Sequence, residues 1–264
     1  MKIAIIGTGN LGSAIAKGLI KNEAFTTLYL SDKNTANVDE YKTHDNITVT
    51  NDNVLAVEES DMVIFALQPK HIDKVLESVV SKITDKHIII SVAAGVEIPR
   101  IENIIGSDKN IIRVMPNTAI SIGKSMTCIA ANEKAQDKVA LAQDIFNLLG
   151  TTLVIPEDLI QAATVICASG IAFWMRLVRA TTQGAIQLGF EAHEAHELAT
   201  QTCFGAASLL IESGRHPEQE IDRVTTPSGC TIEGLNAMEH QGLSSALIQG
   251  IVASFEKINQ LKKN

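Results

Sequence analysis

Residues 3–6 form a short apolar run rich in isoleucine. It passes without a break into Gly7-Thr8-Gly9-Asn10-Leu11-Gly12, after which Leu11, Ile15, Leu19 and Ile20 recur at helical spacing. A buried strand, a glycine-rich turn and a helix in that order leave few folds open. A G-x-G-x-x-G string alone is weak evidence, but between a strand and a helix at the head of an alternating pattern it points to dinucleotide binding. Gly7 permits the tight turn, Gly9 lets the backbone approach a pyrophosphate, and Gly12 lets the helix pack on the strand. Thr8, Asn10 and Leu11 fill the loop between them, and the pyrophosphate is expected to rest on the helix N-terminus.

The alternation continues through the first half. Residues 27–31 read as a second strand that ends at Asp32, at the interval where an acidic residue hydrogen-bonds the adenine ribose. A carboxylate there disfavours a 2′-phosphate, whereas Ser31, Lys33 and Asn34 could accept one if Asp32 points away. The plainer alternative is a polar turn. Further strands are expected at 47–49, 62–66, 87–92, 111–115 and 151–155, with helices after about 53 and after Pro69. The turns that close these strands are Ala66-Leu67-Gln68-Pro69, Ala93-Ala94-Gly95 and Pro116-Asn117-Thr118. Loops after strand C-termini are where open α/β sheets bind ligands. The fold expected is a Rossmann-type dinucleotide-binding domain over 1–157.

After Pro156 strands disappear. Residues 159–187, 191–213, 230–241 and 244–261 carry helical spacing with broad apolar stripes, so 158–264 reads as an all-α domain. That breadth predicts burial against a second copy of the chain. Two temptations fall away on spacing. Glu191, His193, Glu194, His196 and Glu197 lack an H-E-x-x-H pattern and read as a solvated helix start, and no metal site is expected. Cys128, Cys167, Cys203 and Cys230 form no C-x-x-C pair and read as reduced thiols. Lys257, Lys262 and Lys263 read as helix-end charges.

The net charge of −8 argues against a nucleic-acid partner or a basic membrane contact. No apolar run is expected to span a bilayer, and the N-terminal run is too short for a signal-peptide core. The expected location is the cytoplasm.

Near the C-terminal end stands Thr225-Thr226-Pro227-Ser228-Gly229-Cys230-Thr231-Ile232-Glu233-Gly234-Leu235. It is a small-residue turn that runs into a helix, with Ser228 as an N-cap candidate. Alone it reads as a capped helix. In the right setting, such a turn presents free N–H groups and a positive dipole end to a carboxylate.

This stretch, the glycine loop, Ala93-Ala94-Gly95-Val96 and Arg113-Val114-Met115-Pro116-Asn117-Thr118 together resemble the motifs of the pyrroline-5-carboxylate reductase family, in that family's order. The resemblance implies reduction of the cyclic imine 1-pyrroline-5-carboxylate to L-proline with NADPH or NADH, the last step of proline biosynthesis. It also implies a homodimer built from the helical domains, sometimes assembled into larger rings. By the same resemblance Thr226, Ser228, Gly229, Cys230, Thr231, Ser169 and Gly170 bind the substrate, with Thr231 near its ring nitrogen. The cofactor falls to Gly7–Gly12, Ser31, Asp32, Lys33, Asn53, Ala66, Leu67, Gln68, Pro69, Ala93, Ala94, Gly95 and Asn117. Two departures stand out: Ser228 replaces the first of two family glycines, and Ala168-Ser169-Gly170-Ile171-Ala172-Phe173 lacks the proline and first glycine of the family's G-S-G-P-A-Y. They keep open a reductase of another cyclic imine or ketimino acid. A non-catalytic dinucleotide sensor is the alternative of another class.

Overall fold

The computed structural model describes residues 1–261, so Lys262 and Lys263 lie outside the described residues. The chain divides into two compact units, Met1–Ala168 and a second that begins at Ser169.

The first unit is one eight-stranded sheet. Its strands are β1 (Lys2–Ile6), β2 (Thr27–Ser31), β3 (Ile47–Thr50), β4 (Met62–Phe65), β5 (Ile88–Ser91), β6 (Asn110–Met115), β7 (Ser125–Ala131) and β8 (Gly150–Val154), in the order β3-β2-β1-β4-β5-β6-β7-β8. All neighbours run parallel except β6 and β7. Side chains alternate between faces along a strand. Ile3, Ile5, Met62, Ile64, Ile88 and Ile90 accordingly enter one core, while Ala4, Ile6, Val63, Phe65 and Ile89 enter another. A strand buried on both faces has no polar positions to spare, which is why these runs are continuously apolar.

The helices that cover the sheet are α1 (Asn10–Lys21), α2 (Asn53–Glu58), α3 (Pro69–Val79), α4 (Ile98–Ile105) and α5 (Val139–Asn147). Each shows its own start or stop chemistry. Asp52 caps α2 by accepting from the N–H groups of Val54 and Leu55 at 2.9 and 3.1 Å. Pro69 and Pro99 occupy the first turns of α3 and α4, where a missing N–H costs nothing. A short α6 (Ile160–Ala163) follows, with Ile160 buried against Cys128 and Ala130 of β7. Residues 158–168 therefore pack with the sheet, although the change of composition comes earlier, at Pro156.

The second unit holds α7 (Gly170–Gln187), α8 (Ala192–Ser213), α9 (Pro217–Val224), α10 (Cys230–His240) and α11 (Leu243–Leu261). The α7 and α8 helices pack on each other. The acidic cluster before α8 serves as a capping box: Glu191 accepts from the backbone N–H of Glu194, and the Glu194 carboxylate accepts from the N–H of Glu191 at 3.1 Å. This unit buries little. Ala195 and Ala199 are its buried apolar residues among those described, while Trp174, Met175, Leu188, Phe204, Leu209 and Ile211 lie exposed.

One expectation is corrected. Glu157–Gln187 is a single helical run of 31 residues that opens on the 3-10 turn Glu157–Leu159 and contains the π-helical segment Thr164–Ser169, with a mean hydropathy of 1.5 over its most apolar window. By length and composition alone it could cross a bilayer, for which about 20 residues suffice. Residues 159–187 read from the sequence as one helical stretch, but no apolar run was expected to be long enough to span a bilayer.

Candidate active site

The order of strands reverses between β1 and β4, the point where open α/β sheets form a ligand crevice. A cleft of about 320 Å³ lies there. It is lined by Ile6, Gly7 and Gly9 from β1 and its turn, by Ser31, Asp32 and Lys33 after β2, by Asn53 of α2, and by Ala66, Leu67 and Gln68 after β4. Nine residues expected to hold the cofactor are thus brought to one wall.

The glycine loop has the backbone its motif requires. Gly7 sits at φ +98°, and a Cβ on Gly12 would collide with the carbonyl oxygen of Gly7. A Cβ on Gly9 would meet only open space, so that side of the backbone is clear for a ligand. Gly9 is the N-cap of α1, and no side chain caps the helix start. The first-turn N–H groups of Asn10, Leu11 and Gly12 thus meet no acidic residue and no capping oxygen. Thr8 Oγ1 is a buried oxygen without a hydrogen-bond partner. An open anion site, an orphaned hydroxyl and a crevice at the strand reversal together suit a dinucleotide.

Asp32 does not project freely into the cleft. Its Oδ2 accepts from the Thr8 N–H at 2.6 Å and its Oδ1 from the Asn34 N–H at 3.0 Å. Asn37 Nδ2 donates to the Thr8 carbonyl at 3.0 Å, tying the loop after β2 to the glycine turn a second time. Ser31 is buried, and its Oγ donates to Asn53 Oδ1 at 2.7 Å, so two expected cofactor residues hold each other.

The remaining expected residues lie elsewhere in this unit. Pro69 opens α3 beside the cleft lining. Ala93, Ala94 and Gly95 follow β5, with Ala93 buried in the second core. The side chain of Asn117 is engaged by the protein: Oδ1 accepts from the Ala119 N–H at 3.0 Å and Nδ2 donates to the Cys167 carbonyl at 3.1 Å. Arg113, which shares its motif, has its guanidinium 4% exposed and pairs with Glu157 at 3.2 Å. The same Glu157 oxygen accepts from the Ile98 N–H at 2.6 Å, at the start of α4. That motif therefore builds a buried polar brace. Cys167 lies beside the buried Cys128. A hydrogen bond from the Cys128 thiol holds the Cys167 thiol down, to about 7, against the opposing effect of burial. The same bond, with burial, pushes Cys128 up.

Four cleft residues were missed by sequence reasoning: Ile6 at the end of β1, and His71, Lys74 and Val75 on α3. For those on α3 a signal was present. Counting from Gln68, steps of three and four place 71, 74 and 75 on one helix face.

In the second unit the signature stretch forms a tight turn followed by a helix. The Thr226 carbonyl accepts from the Gly229 N–H at 2.9 Å. Pro227 at the second position and a positive φ at the third are what a type II turn requires. The third residue is Ser228, at φ +57°. The N-cap of α10 is Gly229, so the expectation of Ser228 as cap is corrected: in the left-handed region its side chain is not placed to cap. A Cβ on Gly229 would collide with Thr226 Oγ1 and press on the Thr226 carbonyl oxygen, so a side chain here would force Thr226 to move. No side chain caps α10, and Cys230 and Thr231 occupy its first turn. Ser169 and Gly170 stand at the junction of the π-helical segment and α7.

Residues 157–261 match the family model for pyrroline-5-carboxylate reductase dimerisation, and residues 2–95 match that of NADP oxidoreductase coenzyme F420-dependent. The chain is 44% identical to pyrroline-5-carboxylate reductase 1 of Dictyostelium discoideum over 98% of its own length, but it spans only 49% of that relative. It is 40% identical to pyrroline-5-carboxylate reductase 2 of the same organism, over 97% of this chain and 91% of that one. A solved pyrroline-5-carboxylate reductase from Coxiella burnetii superposes with a TM-score of 0.93 at 30% identity, covering 98% of this chain and 97% of its own. The chain belongs to the pyrroline-5-carboxylate reductase family.

Proposed function

We propose that this chain reduces 1-pyrroline-5-carboxylate to L-proline with NAD(P)H. The observation that carries the reading is the signature turn: a tight turn that delivers an uncapped helix start and a threonine hydroxyl together. NAD(P)H, bound by the glycine loop and the cleft at the β1–β4 reversal, supplies the hydride.

The substrate is a small ring with one carboxylate and one imine. The first-turn N–H groups of α10 hold the carboxylate, reinforced by the helix dipole. This fixes one end of the ring, and the Thr231 hydroxyl fixes the other by hydrogen-bonding the imine nitrogen. Thr231 orients rather than acidifies, because an alcohol is a poor proton donor at neutral pH. The nitrogen acquires its proton from solvent, as the iminium, before or as the ring carbon accepts the hydride. Binding at both ends converts a chance encounter into a positioned one.

The exposed apolar surface of α7, α8 and α11 supports a homodimer through the helical unit. The same explanation covers the apolar run Glu157–Gln187, which carries Arg176 and Arg179 within a dimerisation-type match. Four unpaired cysteines support a reducing compartment, and the cytoplasm is our inference for its location.

Ser228 and Ile171 favour one second reading, a reductase of a larger cyclic imine. The test is oxidation of NADPH and of NADH with pyrroline-5-carboxylate and, separately, with its six-membered analogue. Faster turnover of the five-membered ring supports the proposal. Preference for the six-membered ring supports the second reading, and no turnover with either ring removes both.

A further inference from the structure

We infer that the cleft selects NADPH over NADH, and that Lys33 and Lys74 make the selection. The inference rests on the NAD(P)H reading and deepens it. The two cofactors differ by one 2′-phosphate, a dianion, so the local charge at the adenosine end decides between them.

Four ionisable side chains line the cleft: Asp32, Lys33, His71 and Lys74. The acidic one is held by the protein, with both oxygens accepting backbone N–H groups, of Thr8 and Asn34. An aspartate that selects NADH offers those oxygens to the ribose 2′-hydroxyl. Here each already accepts one backbone N–H, which ties Asp32 to the glycine turn and to its own loop.

The basic residues are left exposed and unneutralised. Lys33 and Lys74 have no ion-pair partner among the described residues. Asp73, adjacent to Lys74 in sequence, is drawn off by Arg100 through two bonds of 2.9 and 2.8 Å. His71 adds a ring nitrogen one turn from Lys74. In a chain of net charge −8, this pocket wall is locally basic. Local charge of that sign attracts a phosphate, and two lysines at a rim supply it as point charges.

The test is calorimetric titration of NADPH and NADH into the wild-type protein, Lys33→Gln, Lys74→Gln and the double variant. Lys86→Gln, outside this cleft, serves as the control for overall charge. The expected result is NADPH bound about tenfold or more tightly than NADH. Each cleft substitution is expected to weaken NADPH by roughly three- to tenfold while NADH moves less than twofold, the scale of one exposed charge pair with a dianion. Added salt is expected to narrow the NADPH advantage. Equal affinities, tighter NADH, or equal loss of both cofactors on Lys33→Gln and Lys74→Gln overturns the inference and leaves the reductase reading standing. A wild-type protein that binds neither dinucleotide overturns both.

Discussion

Replacing Ser228 with glycine is expected to stabilise the protein. A side chain in the left-handed region costs about 1–2 kcal/mol relative to the right-handed one. Ser228 sits there at φ +57° with its side chain exposed, so no packing is lost on removal. Glycine returns about 0.5–1 kcal/mol of this through the greater freedom of the unfolded chain. The net gain is about 0.5–1 kcal/mol, a rise in Tm of roughly 1–4 °C for a chain of this size. Ser228→Val runs the other way, because branching at Cβ aggravates the same clash. The assay is thermal unfolding at one fixed protein concentration, since self-association shifts Tm by mass action. The expected ranking is Gly above Ser above Val. A glycine variant less stable than wild type, or a valine variant equal to it, refutes the strain. Because the cradle is made of backbone N–H groups, Ser228→Gly is also expected to leave the KM for substrate within a few-fold.

Other perturbations give equally direct readings. Glu157→Ala strands the buried Arg113 guanidinium and uncaps α4, for a loss of about 3–5 kcal/mol in denaturant unfolding, whereas Arg113→Met with Glu157→Leu restores most of it. A single variant that loses less than about 1 kcal/mol contradicts the brace. Gly12→Ala forces Cβ against the Gly7 carbonyl oxygen, and cofactor binding followed by calorimetry is expected to fall at least about tenfold, one contact's worth of misfit. The Cys167 thiol lies lower than an ordinary thiol, so its alkylation is expected to be half-maximal near pH 7 and to fall as pH drops below that, with Cys128 unreactive until unfolding. Half-maximal alkylation near the ordinary thiol range counts against the Cys128–Cys167 hydrogen bond.

The sheet was readable where a strand is a continuous apolar, β-branched run, because such a run has no other use in this context. Strand β7 was not, since Ser125-Met126-Thr127-Cys128 mixes small polar and apolar residues and shows neither alternation nor a run. Its antiparallel pairing with β6 is a tertiary fact. Helix α9 also escaped, its short charged sequence giving only Pro217 as a start signal. In the site, the motifs marked the loops but not which way their side chains turn. Asp32 reads from spacing as a ribose acceptor, yet its partners, Thr8 and Asn34, are decided by how two loops meet. Lys74 needed the helix axis of α3 before it could be assigned to the cleft. Ser228 was visible as a departure from glycine, but its cost became calculable only with its φ.

The central claim is that the chain performs a two-electron reduction on a carboxylate-bearing cyclic imine positioned at α10. The most direct measurement pairs L-proline formation with NADPH consumption in the purified wild-type chain and in Thr231→Ala. The account predicts one L-proline per NADPH in the wild type, and a kcat lowered by roughly ten- to a thousandfold in the variant with its thermal unfolding unchanged, as for a positioning hydroxyl. Wild-type turnover in Thr231→Ala, or no L-proline from a wild-type protein that binds NADPH, contradicts it.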